Sequence, residues 1–426
     1  MEYRARLADG EIGLNMRTMG AVQIKGPKGC GKTTTAKQFA RSVIEFQDED
    51  LRDRYLTIAR DKPSLLLRGE KPILFDEWQD APKIWGAVRK DVDDSGLCGQ
   101  YILTGSSSKN ISTPHTGTLR IATVDMRPMS LFETGESNGS VSLKGLFSGE
   151  ADDSSWKHLG DFDDLLFSIC RGGWPRAVNL KDRDAKLNVA KQLFRQTCAS
   201  DISAIDDVKR DPLLAAAILR SYSRNICQLA QMKTIYADVS AEKDVSYNAF
   251  NEYVGALERL FIIDDVDAWN PQIRSKTSIR SVKKKNLVDP SIAVAAMGLS
   301  PEYFYKDLNT LGHLFESLVM RDLRIYSSAL GGHLSYYNDR YGLECDGVLH
   351  LPDGRYALIE VKLGQSEIEK GVKNLNKMDS LIAQKDGTDG CPKMRRPDLK
   401  IVITGTDMGY IRDDGVMVVP ATALGP

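Results

Sequence analysis

The run GPKGCGKT, from Gly26 through Pro27, Lys28, Gly29, Cys30, Gly31 and Lys32 to Thr33, has the residue types and spacing to hold a polyphosphate. It satisfies G-x-x-x-x-G-K-[ST], the Walker A pattern, between a strand-like stretch (AVQIKG) and a helix-like one (TTTAKQFARSVI). Glycines let successive backbone N–H groups turn towards one anion, and the N-terminus of the following helix adds partial positive charge. Lys32 brings a full charge to the β- and γ-phosphates, and Thr33 brings a hydroxyl for Mg²⁺. Thr34, the next residue, is counted with the loop. The spacing predicts bound ATP with Mg²⁺.

Two further strand ends belong to the same chemistry. PILFDE ends an apolar run in Asp76, placed to hold Mg²⁺, and Glu77, placed to polarise an attacking water. An acidic pair of this kind can also cap a helix. YILTGSS ends a later apolar run in Thr104, Gly105 and Ser106, and Thr104 is placed to meet the γ-phosphate or the lytic water. The catalytic candidates are therefore Lys32, Asp76, Glu77 and Thr104. Cys30, inside the loop, reads either as a small filler or as a redox switch on turnover.

The order of P-loop, acidic pair and polar strand end, over about Gly20 to Arg127, resembles the additional-strand (AAA+-type) ATPases. That resemblance implies an arginine supplied by a neighbouring subunit, for which Arg120 and Arg127 in TLRIATVDMRPMSLFE are the candidates.

A second group of chemistry-bearing residues lies near the other end. Asp346 sits in ECDGVLHL, while Glu360 and Lys362 are two apart in ALIEVKL, so strand periodicity puts that pair on one face. Two carboxylates and a lysine suit a Mg²⁺-dependent phosphodiesterase, with Asp346 and Glu360 as metal ligands. The arrangement resembles the PD-(D/E)xK nucleases, with Glu316 matching their helical acidic position. Cys345 stands where their proline would, so an active nuclease and an inert relic both stay open. Arg274, Lys276, Arg280, Lys283, Lys284 and Lys285, with Lys393, Arg395 and Arg396, form basic clusters that would contact DNA or simply solvate loops.

Residues 20–127 alternate short apolar strands with helical stretches, the pattern of a parallel sheet covered on both faces. Residues 133–160, rich in Gly, Ser, Asp and Glu, read as a linker. Residues 162–266 show helical spacing throughout. A polar, strand-prone stretch follows, as expected of a winged helix. From about residue 303 the pattern is helix, strands, helix, strand. The expected fold class is α/β: an AAA-type P-loop sheet (1–135), a helical lid (160–204), a winged helix (205–290), and an α/β nuclease-like domain (300–410).

RPMSLFE, RGGWPRAV, SYSRNICQLA, ALERLFII, VDPSIAVAAMG and GHLFESLVMRDL, in that order, resemble prokaryotic ATPases that join an AAA-type domain to a carboxy-terminal domain of uncharacterised function. The resemblance implies a winged helix and a restriction-endonuclease-like domain, and leaves the physiological role open.

Composition sets the outer bounds. The 426 residues carry 57 basic and 58 acidic side chains, a net charge of −1, which gives no global attraction to nucleic acid or anionic membrane. No run approaches the about 18 apolar residues of a spanning helix, and the start lacks a secretory signal. Seven cysteines without a C-x-x-C pair suit a reducing, cytoplasmic setting. Three functions stay open: an ATP-driven switch or motor, an ATP-gated nuclease, and a non-catalytic nucleotide sensor. The implied partners are ATP, DNA, a second copy of the chain or another protein, and not a membrane.

Overall fold

The computed structural model describes residues 3–105, 117–152, 156–269, 282–338, 343–384 and 395–426. Helix α1 (Ala8–Thr18) leads into β1 (Ala21–Lys25), α2 (Lys32–Phe39), β2 (Ser42–Glu45), α3 (Arg52–Asp61), β3 (Ile73–Asp76), α4 (Lys83–Ser95), β4 (Tyr101–Gly105) and β5 (Ile121–Asp125). The five strands form one parallel sheet in the order β2-β3-β4-β1-β5. Strand β4 lies between β1 and β3, and Thr104 stands level with both Ile24 and Asp76. The polar ends of three strands are therefore neighbours. Their apolar runs are buried on both faces, as a sheet covered on two sides requires.

The stretch expected to be a linker is folded. It holds α5 (Leu131–Thr134), with a reciprocal Ser130–Glu133 capping box, then β6 (Val141–Ser142) and α6 (Leu143–Phe147). Next come α7 (Phe162–Arg171), α8 (Pro175–Asn179), α9 (Arg183–Gln196), α10 (Ile202–Ala204), α11 (Pro212–Arg224), α12 (Met232–Glu242) and α13 (Tyr247–Arg259). After α13 two extended arms pair antiparallel, Ile263 with Leu287 and Val266 with Lys284. The segment joining them lies outside the described residues. Helices α14 (Pro290–Met297), α15 (Pro301–Phe304) and α16 (Leu308–Ala329) follow.

The last part contains β7 (His333–Asn338), β8 (Glu344–His350), β9 (Tyr356–Lys362), α17 (Ile368–Gln384), β10 (Leu399–Thr404), β11 (Tyr410–Ile411), β12 (Met417–Pro420) and β13 (Leu424–Gly425). A mixed sheet runs β11-β12-β10-β9-β8-β7. Buried residues of α16 pack with Leu349 and Ile359 on one face, and those of α17 with Leu358 and Val402 on the other. This sheet continues past the expected boundary at residue 410. Strand β13 leaves it to pair with β6, so the supposed linker binds the carboxy-terminal end.

Four of the sequence phrases that carry the whole-chain resemblance, RPMSLFE, RGGWPRAV, VDPSIAVAAMG and GHLFESLVMRDL, meet in one buried knot. The N–H of Gly173 donates to Asp289 at 2.9 Å, and the Trp174 indole donates to Ser291 at 2.9 Å. Arg321, almost fully buried, pairs with Asp289 at 2.8 Å and with Asp322, which in turn accepts from the Leu131 N–H at 3.0 Å. A Cβ on Gly173 would lie 1.9 Å from the Met129 carbonyl oxygen, so glycine alone fits. These phrases join the three parts of the chain, and one apolar core runs from Ile12 to Leu424.

Candidate functional site

The loop between β1 and α2 is built from left-handed glycines. Gly26 has φ of 151°, and a Cβ there would lie 2.1 Å from the Met126 carbonyl oxygen. Gly31, in the left-handed region, caps α2. Lys32 Nζ donates to the carbonyls of Gly26 at 3.0 Å and Pro27 at 2.9 Å, so its ammonium curls over the loop. Thr33 Oγ1 donates to Asp76 Oδ1 at 2.7 Å, and Thr104 Oγ1 donates to the same oxygen. Helix α2, β3 and β4 are thus joined at one carboxylate. Ser106 lies outside the described residues.

Glu77 follows at φ of 54°, a left-handed conformation uncommon for glutamate, and Gln79 Nε2 donates to its carboxylate. Gln79 Oε1 is buried without a hydrogen-bond partner among the described residues, an acceptor suited to a water or hydroxyl donor. In front lies a cleft of about 130 Å³, walled by Lys28, Glu77 and Gln79 on one side and by Thr197, Asp201 and Ile205 on the other. Lys28, mostly exposed, reaches across it to Asp201 at 3.3 Å. Ligand pockets usually begin near about 300 Å³, so the helical wall stands close to the loop.

Behind the loop is a residue that no motif marks. Arg6 is buried, donates to the Cys30 carbonyl at 2.8 Å and the Arg127 carbonyl at 2.8 Å, and pairs with Glu133 at 2.9 Å. A lone arginine near the start of a chain gives no signal until its partners, two of them more than a hundred residues away, are folded onto it. Cys30 is fully buried with Sγ 3.7 Å from the Met126 carbonyl oxygen, which fits the filler reading.

The arginine expectations change. Arg127 is bound inside the chain to Asp264 on the hairpin, at 2.9 Å, so its guanidinium is committed and does not reach outward. Burial pushes the Asp264 carboxyl up, but the Arg127 and Arg324 guanidiniums outweigh it and hold the group well below the usual range. Arg120 forms a surface pair with Asp93 at 2.7 Å.

The carboxy-terminal candidates converge, but on lysines. Asp346, in β8, accepts from Lys362 Nζ at 3.1 Å and from the Val361 N–H at 2.9 Å. Lys362 also pairs with Glu360 at 2.7 Å, and Asn374 donates to Glu360 at 2.6 Å. Lys284 Nζ lies 2.5 Å from Glu316 and 3.4 Å from Asp346. Burial, then the Asp346 charge, raises both glutamates above the usual carboxylate range. Burial also acts to raise Asp346, but Lys284 and Lys362 hold it down. Asp346 and Glu360 therefore do not stand as metal ligands in this arrangement. Among the described residues no group of three or more His, Cys, Asp or Glu is disposed to hold a metal.

The basic cluster is likewise corrected. Lys284 and Lys285 are buried, the latter on Asp265 at 2.6 Å, and Lys283 pairs with Asp267 at 3.0 Å. Arg395 pairs with Asp398, and Arg396 with Asp379 at 2.6 Å. Arg274, Lys276, Arg280 and Lys393 lie outside the described residues.

Residues 19–135 match the family model of an AAA domain. Over these residues the chain is similar to AAA domains, and its parallel sheet and glycine loop are those of a P-loop fold. Residues 162–303 and 311–424 each match a domain of unknown function, DUF8612 and DUF4143. No curated protein matches the chain. Among solved structures, the Walker-type ATPase of Pyrococcus abyssi is 10% identical with a TM-score of 0.41, covering 69% of this chain and 96% of that one. A Signal Transduction ATPase with Numerous Domains from Pyrococcus horikoshii, with a tetratricopeptide repeat sensor, is 12% identical with a TM-score of 0.22, covering 75% and 49%. Drosophila ORC bound to DNA is 16% identical with a TM-score of 0.20, covering 70% and 87%. No helix among the described residues is long and apolar enough to cross a membrane.

Proposed function

We propose that the AAA domain binds ATP with Mg²⁺ and hydrolyses it, and that the nucleotide state acts as a switch on the helical and carboxy-terminal parts. The observation that carries this reading is the meeting of the Thr33 and Thr104 hydroxyls on Asp76, beside a glycine loop whose lysine, among the described residues, is bonded to loop carbonyls. The backbone N–H groups from Gly29 to Thr34 would cradle the phosphates, and Lys32 would exchange its carbonyl partners for phosphate oxygens. Thr33 and Asp76 would hold Mg²⁺, which when bound offsets phosphate charge and polarises the transferred group. Glu77 orients and deprotonates the attacking water, and Thr104 fixes that water or the γ-phosphate.

The switch reading draws support from what touches the loop. Lys28 pairs with Asp201 across the cleft, and Arg6 ties the loop's Cys30 carbonyl to the Arg127 carbonyl. A nucleotide that displaces either bond changes the helical wall or the hairpin. The six free cysteines of the described residues suit a reducing, cytoplasmic setting.

Lys32→Ala is expected to lose ATP binding in a fluorescent-nucleotide titration, while Glu77→Gln binds ATP without turning it over. Wild-type turnover in Glu77→Gln would remove Glu77 from its role. Turnover in the wild type no faster than in buffer would instead make the protein a nucleotide sensor.

A further inference from the structure

Inside the glycine loop, the Cys30 carbonyl accepts a hydrogen bond from Arg6 Nη1 at 2.8 Å. Arg6 is buried and takes no part in the wall of the cleft formed by Lys28, Glu77 and Gln79. A trans peptide unit is planar, and its C=O and N–H point in opposite directions. Pinning the Cys30 carbonyl to Arg6 therefore turns the Gly31 N–H away from Arg6, toward the side on which phosphates would be cradled. Gly31 holds a φ of 106°, which glycine adopts without strain, so its backbone can follow that orientation.

Arg6 is itself held from several directions. Each of its three side-chain nitrogens has a different partner: Nε the Glu133 carboxylate at 2.9 Å, Nη1 the Cys30 carbonyl, and Nη2 the Arg127 carbonyl at 2.8 Å. Its own N–H donates to Asp9 at 2.9 Å, and the Tyr3 hydroxyl donates to the same aspartate at 2.7 Å. Glu133 is fixed in turn by the N–H groups of Leu7 at 2.9 Å and Ser130 at 2.8 Å. A rigid, planar guanidinium with three separate acceptors has one orientation. Because Glu133 offsets its charge, what Arg6 gives the loop is direction.

We propose that Arg6 is a positioning residue for the phosphate cradle: it fixes the Cys30–Gly31 peptide so that the Gly31 N–H is aimed at the phosphate chain before nucleotide arrives. The inference rests on the reading of the glycine loop as the ATP site. A preset donor spares the ordering that binding would otherwise require. Without the guanidinium the peptide is free to turn, and affinity falls.

Arg6→Met alone strands the buried Glu133, so the test combines Arg6→Met with Glu133→Gln, which removes both charges together. Full-length protein is titrated with a fluorescent ATP analogue in Mg²⁺. The analogue is then displaced with inorganic tripolyphosphate, a phosphate chain without base or sugar, and urea unfolding reports stability. The double variant is expected to regain stability over Arg6→Met and still to bind both ligands about 10-fold more weakly than wild type. An Arg6 that only supports the fold would regain wild-type affinity together with stability, and that result would overturn the proposal. So would weaker binding of the analogue with tripolyphosphate affinity unchanged. If the double variant does not fold, Arg6→Lys decides, since it keeps a charge for Glu133 without the three-way fork: weaker tripolyphosphate binding supports the proposal, and wild-type affinity overturns it. Wild-type protein that binds neither ligand would overturn the nucleotide site itself along with the role of Arg6.

Discussion

Asp76, at the end of β3, accepts hydrogen bonds from two hydroxyls, whereas Asp346, within β8, accepts them from two ammonium groups. Each aspartate is brought into a candidate site by a strand, and each has a lysine in the same site. In the amino-terminal domain that lysine, Lys32, is bonded to loop carbonyls and leaves the carboxylate without a cation among the described residues. In the carboxy-terminal domain Lys284 and Lys362 already sit on the acids. The first centre is incomplete in charge and suited to take up a phosphate with its metal. The second is complete without one, because an unpaired buried carboxylate would be costly. Motifs of similar chemical content therefore lead to opposite expectations.

Glu77→Gln should lower ATP turnover about 10²- to 10⁴-fold, the range of a lost general base, with little change in nucleotide affinity. Lys32→Ala should weaken ATP binding by about 100-fold or more, because charge-assisted bonds to phosphate are lost. Lys284→Ala should destabilise the metal-free protein by about 3–5 kcal/mol in urea unfolding, since it strands buried carboxylates. An equal loss from Lys32→Ala would erase the distinction between the two centres.

Arg127→Ala should cost about 2 kcal/mol through its charged hydrogen bonds to Asp264. The folded Asp264 carboxyl titrates below its ordinary 3.8, so its contribution is complete above that value and is lost as pH falls through and below it. The stability gap between wild type and Asp264→Asn should accordingly start to narrow near about pH 4 and keep narrowing as the pH falls further. Arg120→Ala, which breaks a half-exposed pair, should change stability by no more than about 0.5 kcal/mol. A large loss of turnover in that variant would give Arg120 to a neighbouring active site.

The nucleotide loop was legible because its information is local. Glycine positions, the following helix and the Lys32–Thr33 pair lie within eight residues, and apolar runs mark the strands that end in Asp76 and Thr104. The parallel α/β character of residues 20–127 followed from the same alternation. Residues 133–160 misled because polar composition hides a short strand whose partner, β13, comes only at the far end of the chain. The KKK run at 283–285 misled for a related reason. A lysine run is usually solvated, and nothing within it shows that two of its members will be enclosed by acids distant in the chain.

By itself the sequence determined the phosphate loop, its order relative to the acidic pair and the polar strand end, and the sheet that carries them, since backbone conformation and apolar periodicity are properties of neighbouring residues. Tertiary structure decided which charges meet: Arg6 behind the loop, Arg127 on Asp264, and Lys284 between Glu316 and Asp346. Charge neutralisation depends on distances of a few ångströms between segments far apart in the chain, and only the packed core brings them together.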